Sequence, residues 1–352
     1  MTAAPNVSRR DATGHKYSGQ RYSGQTWFLL AMVAASCLVV AYIVLIDAPS
    51  RRMAPDEFAA AAPVSKFKLA DIPFDGQLAY TYLKQICDLG PRPSGSPAMT
   101  QQRELLKAHF EKLGAKVTVQ SWRVAHPTTG AAVEMGNLIV EWRPDAKERL
   151  LLGAHFDTRP YPDRDPKNPK GRFIGANDGA SGVALLMQLG ATMKNYQGKL
   201  GVDFIIFDGE ELIFSDRDEY FLGSKHFAEQ YVAKPPAHTY RGGAVLDMVG
   251  DKNLQILEEG NSMDWPPSRN VTNAIWATAK KLGVREFVPR IGYTVNDDHM
   301  PLCEIAKIPV CDVIDFDYPF WHTEGDTADK CSALSLAKVG WVIQEWLKSA
   351  GK

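Results

Sequence analysis

Five apolar, strand-like runs, residues 137–142, 149–154, 203–207, 244–248 and 308–314, alternate along this chain with helical stretches near 77–89, 99–113, 182–196, 271–282 and 332–348. Such alternation predicts an α/β fold with a mostly parallel central sheet flanked by helices, because parallel strands need a long crossover and a helix supplies it. An open sheet of this class binds ligands at the carboxyl ends of its strands, where residues far apart in sequence converge. The sequence shows no internal repeat.

Five potential metal ligands stand where a run gives way to a loop: His155 in LLGAHFD, Asp178 in GANDGASG, Glu211 in FDGEE, Asp247 in VLDM and His322 in WHT. Imidazole nitrogen combined with carboxylate oxygen suits Zn²⁺, which leaves one position open in catalytic sites. Glu210 and Glu211 are adjacent after a turn at Gly209, and two such carboxylates repel each other unless they share a cation or a proton. The division this chemistry favours makes Glu211 a ligand and Glu210 a general acid/base with a raised pKa. Taken alone, Asp178 reads as a helix N-cap more readily than as a ligand. His155 and Asp157 are two residues apart, hence on one face of an extended strand, so Asp157 is expected to orient the imidazole. Asp247 would be costly to bury without a cation or hydrogen bonds.

With 40 basic and 41 acidic side chains, no global field favours nucleic acid. Residues 27–46 (WFLLAMVAASCLVVAYIVLI) carry no charge, and at roughly 1.5 Å per residue they reach across a bilayer core of about 30 Å. They are expected to be a transmembrane signal anchor, with a cleaved signal peptide as the alternative. Arg9, Arg10, Lys16 and Arg21 precede the run, which predicts a cytoplasmic tail at 1–26 and an extracytoplasmic catalytic domain. Residues 47–70 read as an Ala/Pro-rich stalk, so the folded domain is expected at 71–352. Five cysteines show no CxxC pair, which excludes a cysteine metal site; Cys303 could pair with Cys311 or Cys331, or all could be buried thiols.

From about residue 73 to the C-terminus the chain resembles the M28 zinc peptidase family, and within it the animal-type glutaminyl cyclases. The resemblance is carried by GANDGA, FDGEE and WHT, and by Asp297-Asp298-His299-Met300-Pro301, which is similar to a cyclase DDHxP segment. Eleven residues (LIFSDRDEYFL) separate Glu211 from Gly223, and Trp321 precedes His322, as in the cyclases. The resemblance implies one zinc on Asp178, Glu211 and His322, catalytic roles for Glu210, Asp247 and Asp297, and substrate binding by Trp321, Tyr318 and Asn296. In the aminopeptidase branch His155 and Asp247 complete a second zinc site. The chain departs from the cyclase pattern at Asp216, where a tryptophan is usual, and at Tyr318, which replaces a pocket phenylalanine. Ala154 and Val183 stand in place of the disulfide pair of animal enzymes, and Gly179-Ala180-Ser181-Gly182 is closer to an aminopeptidase.

The implied activity is cyclisation of the N-terminal Gln of peptides to pyroglutamate with release of ammonia. The alternative is an M28-type aminopeptidase acting on peptide N-termini; a non-catalytic receptor-like ectodomain is the third reading.

Overall fold

The computed structural model of the chain describes residues 64–351. The expected anchor at 27–46 and its tail lie outside the described residues, among which no helix is long and apolar enough to cross a membrane. Six strands form the central sheet: β1 (Lys116–Ala125), β2 (Ala132–Trp142), β3 (Glu148–His155), β4 (Gly201–Phe207), β5 (Thr239–Asp247) and, last in the chain, β8 (Val310–Ile314). Their spatial order is β1-β2-β4-β3-β5-β8. β4, β3, β5 and β8 run parallel, as expected, but β1 and β2 are antiparallel at one edge, so the sheet is mixed. β6 (Ile256–Glu258) and β7 (Phe287–Ile291) form a separate parallel pair.

The helices are α1 (Gly76–Cys87), α2 (Pro97–Lys112), α3 (Ala180–Met193), α4 (Leu222–Ala233), α5 (Gly260–Asp264), α6 (Pro266–Leu282), α7 (His299–Glu304) and α8 (Ala333–Ser349). They cover both faces of the sheet, and the strand period of two assigns side chains to each face. On β3, Leu150, Leu152 and Ala154 enter the larger core with α1, α3 and α8, while Leu151 enters a smaller core with Phe227 of α4 and Leu302 of α7. Strands buried on both faces therefore read as continuous apolar runs.

The folded part begins earlier than residue 71. Ser65 is buried and donates from its backbone and its hydroxyl to Glu286, which also accepts from Lys338 Nζ at 2.6 Å. Phe67 packs edge-on against Trp341 of α8. Cys87, Cys303, Cys311 and Cys331 are free thiols, and Cys303 Sγ instead donates to the Val310 carbonyl.

Candidate metal centre

The predicted ligands converge at the carboxyl ends of β3, β4 and β5. Nε2 of His322 lies 2.8 Å from Glu211 Oε1 and 3.5 Å from Asp178 Oδ2. Nε2 of His155 lies 3.2 Å from Asp178 Oδ1 and 3.3 Å from Asp247 Oδ1. Asp178 thus gives one oxygen to each trio, and both trios have the spacing of a metal-ligand set.

Local backbone chemistry explains how these side chains are aimed. Gly179 precedes α3 without a side-chain cap, so Asp178 is not the N-cap and its carboxylate is free for the site. Gly175 and Gly179 have φ of +57° and +91°, and a Cβ at Gly179 would sit 2.6 Å from the Asp157 carbonyl, so the turn needs glycine there. Asp326 anchors the turn, accepting the Asn177 and Asp178 amides at 2.8 and 3.1 Å. His322 itself has φ of +56°, and Met248, directly after Asp247, has +49°. Left-handed backbone at such residues costs of order 1–3 kcal/mol each and persists where the surroundings impose it, most often at functional sites.

Asp157 does more than face the His155 ring, whose Nδ1 is 3.7 Å away. Its two oxygens accept the amides of Glu210 and Glu211 at 3.1 and 3.0 Å, which fixes the acidic pair after β4. The Phe221 amide then donates to the Glu210 carbonyl, closing the eleven-residue stretch into a loop.

The acidic pair is electrostatically split. Burial alone would raise Glu211, but the positive charge and hydrogen bond of His322, with Arg159, hold its carboxyl down to about 2. Burial and then the negative charge of Glu211 push Glu210 well above the usual carboxylate range. Asp297 is raised to about 6 by burial and by Asp247. Asp298 and Asp312 are raised further by burial and by the charge on Asp297.

The donor set fits zinc. Asp178 Oδ2 is buried without a hydrogen-bond partner, and burial with the Glu211 charge raises its carboxyl to about 7. The clustered carboxylates are short of positive charge, and a dication between two imidazoles and three carboxylates supplies it.

The expected substrate residues fall in different places. The Trp321 ring is half-buried, 4.2 Å from the His322 ring, with the Arg164 guanidinium 4.0 Å over its face. Asn296 is exposed beside Asn261. Tyr318 is buried behind this wall, and its hydroxyl donates to Asp326 at 2.7 Å, so it supports the Asp178 turn rather than an open pocket. Asp216 is exposed on the loop.

Sequence reasoning missed Arg159 and Asp163. The Arg159 amide donates to Glu211 Oε2 at 2.9 Å, and its guanidinium bonds Asp163 Oδ2 at 2.8 Å. Their signal was an Arg-x-x-x-Asp pair directly after HFDT, visible but without apolar context to place it.

The model of peptidase family M28 matches residues 137–347. The structure of a Fimbriiglobus ruber glutaminyl cyclase is similar, with 40% identity, a TM-score of 0.75, and coverage of 81% of this chain and 97% of that one. A Zn-dependent exopeptidase from Parabacteroides distasonis shares 28% identity at a TM-score of 0.73, over 82% of this chain and 100% of that one. The glutaminyl-peptide cyclotransferase of Bos taurus is 24% identical over 285 residues, covering 72% of this chain and 76% of its own.

Proposed function

Because the chain belongs to peptidase family M28, whose zinc donors it carries, we propose that it is an enzyme that converts the N-terminal Gln of peptides to pyroglutamate with release of ammonia. The observation that carries this reading is the split pair: Glu211 is held as an anion among the metal donors, while burial and the Glu211 charge raise the carboxyl of the adjacent Glu210 well above the usual range, with Oε2 3.9 Å from His155 Nδ1. Asp178, Glu211 and His322 would hold the zinc, which when bound would supply Lewis-acid polarisation of the side-chain amide carbonyl.

Glu210 takes a proton from the peptide's α-amine as that nitrogen bonds to the side-chain amide carbon. The bond from this carbon to the amide nitrogen then breaks, and Glu210 returns a proton so that the nitrogen leaves as ammonia and a five-membered lactam remains. Asp247 and Asp297 flank the α-amine, and the raised carboxyl of Asp297 lets it share a proton with that group. Trp321, 4.2 Å from the His322 ring, would wall the substrate pocket, and the exposed Asn296 would bind the peptide from the surface.

Aminopeptidase action is the second reading, favoured by one observation. Asp178 offers its other oxygen to His155 and Asp247, an arrangement that would hold a second zinc. The uncharged run at 27–46 supports a catalytic domain anchored to a membrane and facing away from the cytoplasm.

Full-length protein in detergent, loaded with zinc, decides between the activities when given a Gln-initiated peptide and, separately, a leucine anilide. Ammonia release from the first with no cleavage of the second is the expected result. Cleavage of the anilide without ammonia release would establish the aminopeptidase, and inactivity on both would favour the non-catalytic ectodomain.

A further inference from the structure

We infer that Asp163, on the loop after β3, is a positioning residue for the metal centre: it fixes the ring of His322 and the guanidinium of Arg159, and through them the ligand atoms of His322 and Glu211. The inference rests on the zinc reading above.

Four side chains form a closed ring. Glu211 Oε1 lies 2.8 Å from His322 Nε2, and Nδ1 of the same imidazole lies 3.3 Å from Asp163 Oδ1, an ion-pair contact outside hydrogen-bond alignment. The other Asp163 oxygen is 2.8 Å from Arg159 Nη2, and Arg159 returns to Glu211 through its backbone amide at 2.9 Å and Nη1 at 3.4 Å. Tyr220, from the eleven-residue loop, adds its hydroxyl 3.1 Å from Arg159 Nη2.

The chemistry of the ring follows from the two imidazole nitrogens. A carboxylate at Nδ1 favours the tautomer with its hydrogen there, which leaves the Nε2 lone pair free for a metal. The backbone makes this control necessary. His322 sits in a left-handed conformation, and the Arg164 amide donates to its carbonyl at 3.1 Å, so the same loop grips both the main chain and the ring of this ligand. Asp163 keeps about half its exposure (47%), so water competes for its oxygens, and only one side of it is sealed by the ring. Arg159 contributes less through its side chain, since its backbone donation to Glu211 survives any substitution except proline.

The test is zinc affinity, measured on the full-length protein by competition with a chelator, together with the melting temperature of the metal-free form. Asp163→Asn, which keeps the shape, is expected to weaken zinc binding about 10- to 100-fold, the usual effect of losing a partner that orients a ligand. The metal-free melting temperature should stay at the unsubstituted value. Asp163→Glu, which keeps the carboxylate, should recover part of the affinity, and Arg159→Gln should lose less than Asp163→Asn. Zinc affinity unchanged in Asp163→Asn would overturn the inference, as would a metal-free protein that melts lower in step with its zinc loss. Absence of zinc binding in the unsubstituted chain would instead overturn the zinc reading itself and this inference with it.

Discussion

The same three strands carry a buried charge cluster at each end, and the two clusters are built on opposite principles. At the amino ends, Arg149 of β3 pairs with Asp203 of β4 and donates to the carbonyls of Trp142, Arg143 and Val202, while Tyr240 of β5 donates to Asp203 at 2.7 Å. Cation and anion cancel, and each nitrogen of the guanidinium donates. At the carboxyl ends, His155 Nδ1, Asp178 Oδ2 and Asp297 Oδ2 are buried without hydrogen-bond partners, and acids outnumber imidazoles. Burial of charge is thus common to both; incomplete compensation belongs to one. A closed network holds strands in register, whereas an acid-rich one with unpartnered buried atoms is a candidate binding site.

The sharpest way to break this comparison is to exchange the expected consequences. Glu210→Gln should lower turnover by about 10²- to 10⁴-fold, the scale of lost general acid/base catalysis, with zinc content and melting temperature preserved. Loss of zinc from this variant, seen by elemental analysis, would remove the distinction between Glu210 and Glu211. Arg149→Met should do the reverse. It leaves Asp203 buried and unpaired and should cost about 3–5 kcal/mol in denaturant unfolding, while the fraction that stays folded keeps its zinc and its activity.

The N-terminal clamp is a third, smaller closed cluster. Removing residues 1–70 takes Ser65 from Glu286 and should destabilise the folded unit by about 1–3 kcal/mol relative to removing residues 1–63. Burial opposes ionisation of Glu286, but Lys338 and then Ser65 override it and hold the carboxyl below its usual range. Its contribution is therefore present above the ordinary carboxylate pKa and is lost as pH falls through the lowered value. Equal unfolding curves for the two truncations at neutral pH would show that the domain starts at residue 71 after all.

The elements legible in the sequence were those with one dominant period. Runs 150–154 and 204–207 are apolar on both faces, as central strands buried on both sides are. β1 was missed because its period breaks. Val117 and Val119 face the main core, but Trp122 and Val124 face the small cluster of Val133, Met135 and Leu212, so the apolar positions change parity within one strand. Helix α4 was missed for a related reason, since its buried residues, Gly223, Ser224, Phe227 and Ala228, make a narrow and largely small-residue face. The convergence of the candidate donors was legible because strand ends place them together. Tyr318 was misplaced because an aromatic run does not say which ring points inward, and the Arg159–Asp163 pair only acquires meaning once His322 arrives from more than 150 residues away.

Asp178, with one oxygen in each trio, also bears on how such an enzyme changes over generations. The two candidate trios share one carboxylate held by one glycine turn, so a change in either trio leaves the shared donor of the other in place. A side chain at Gly179, which would meet the Asp157 carbonyl, therefore disturbs both trios at once, so selection on the whole donor set acts through that one turn.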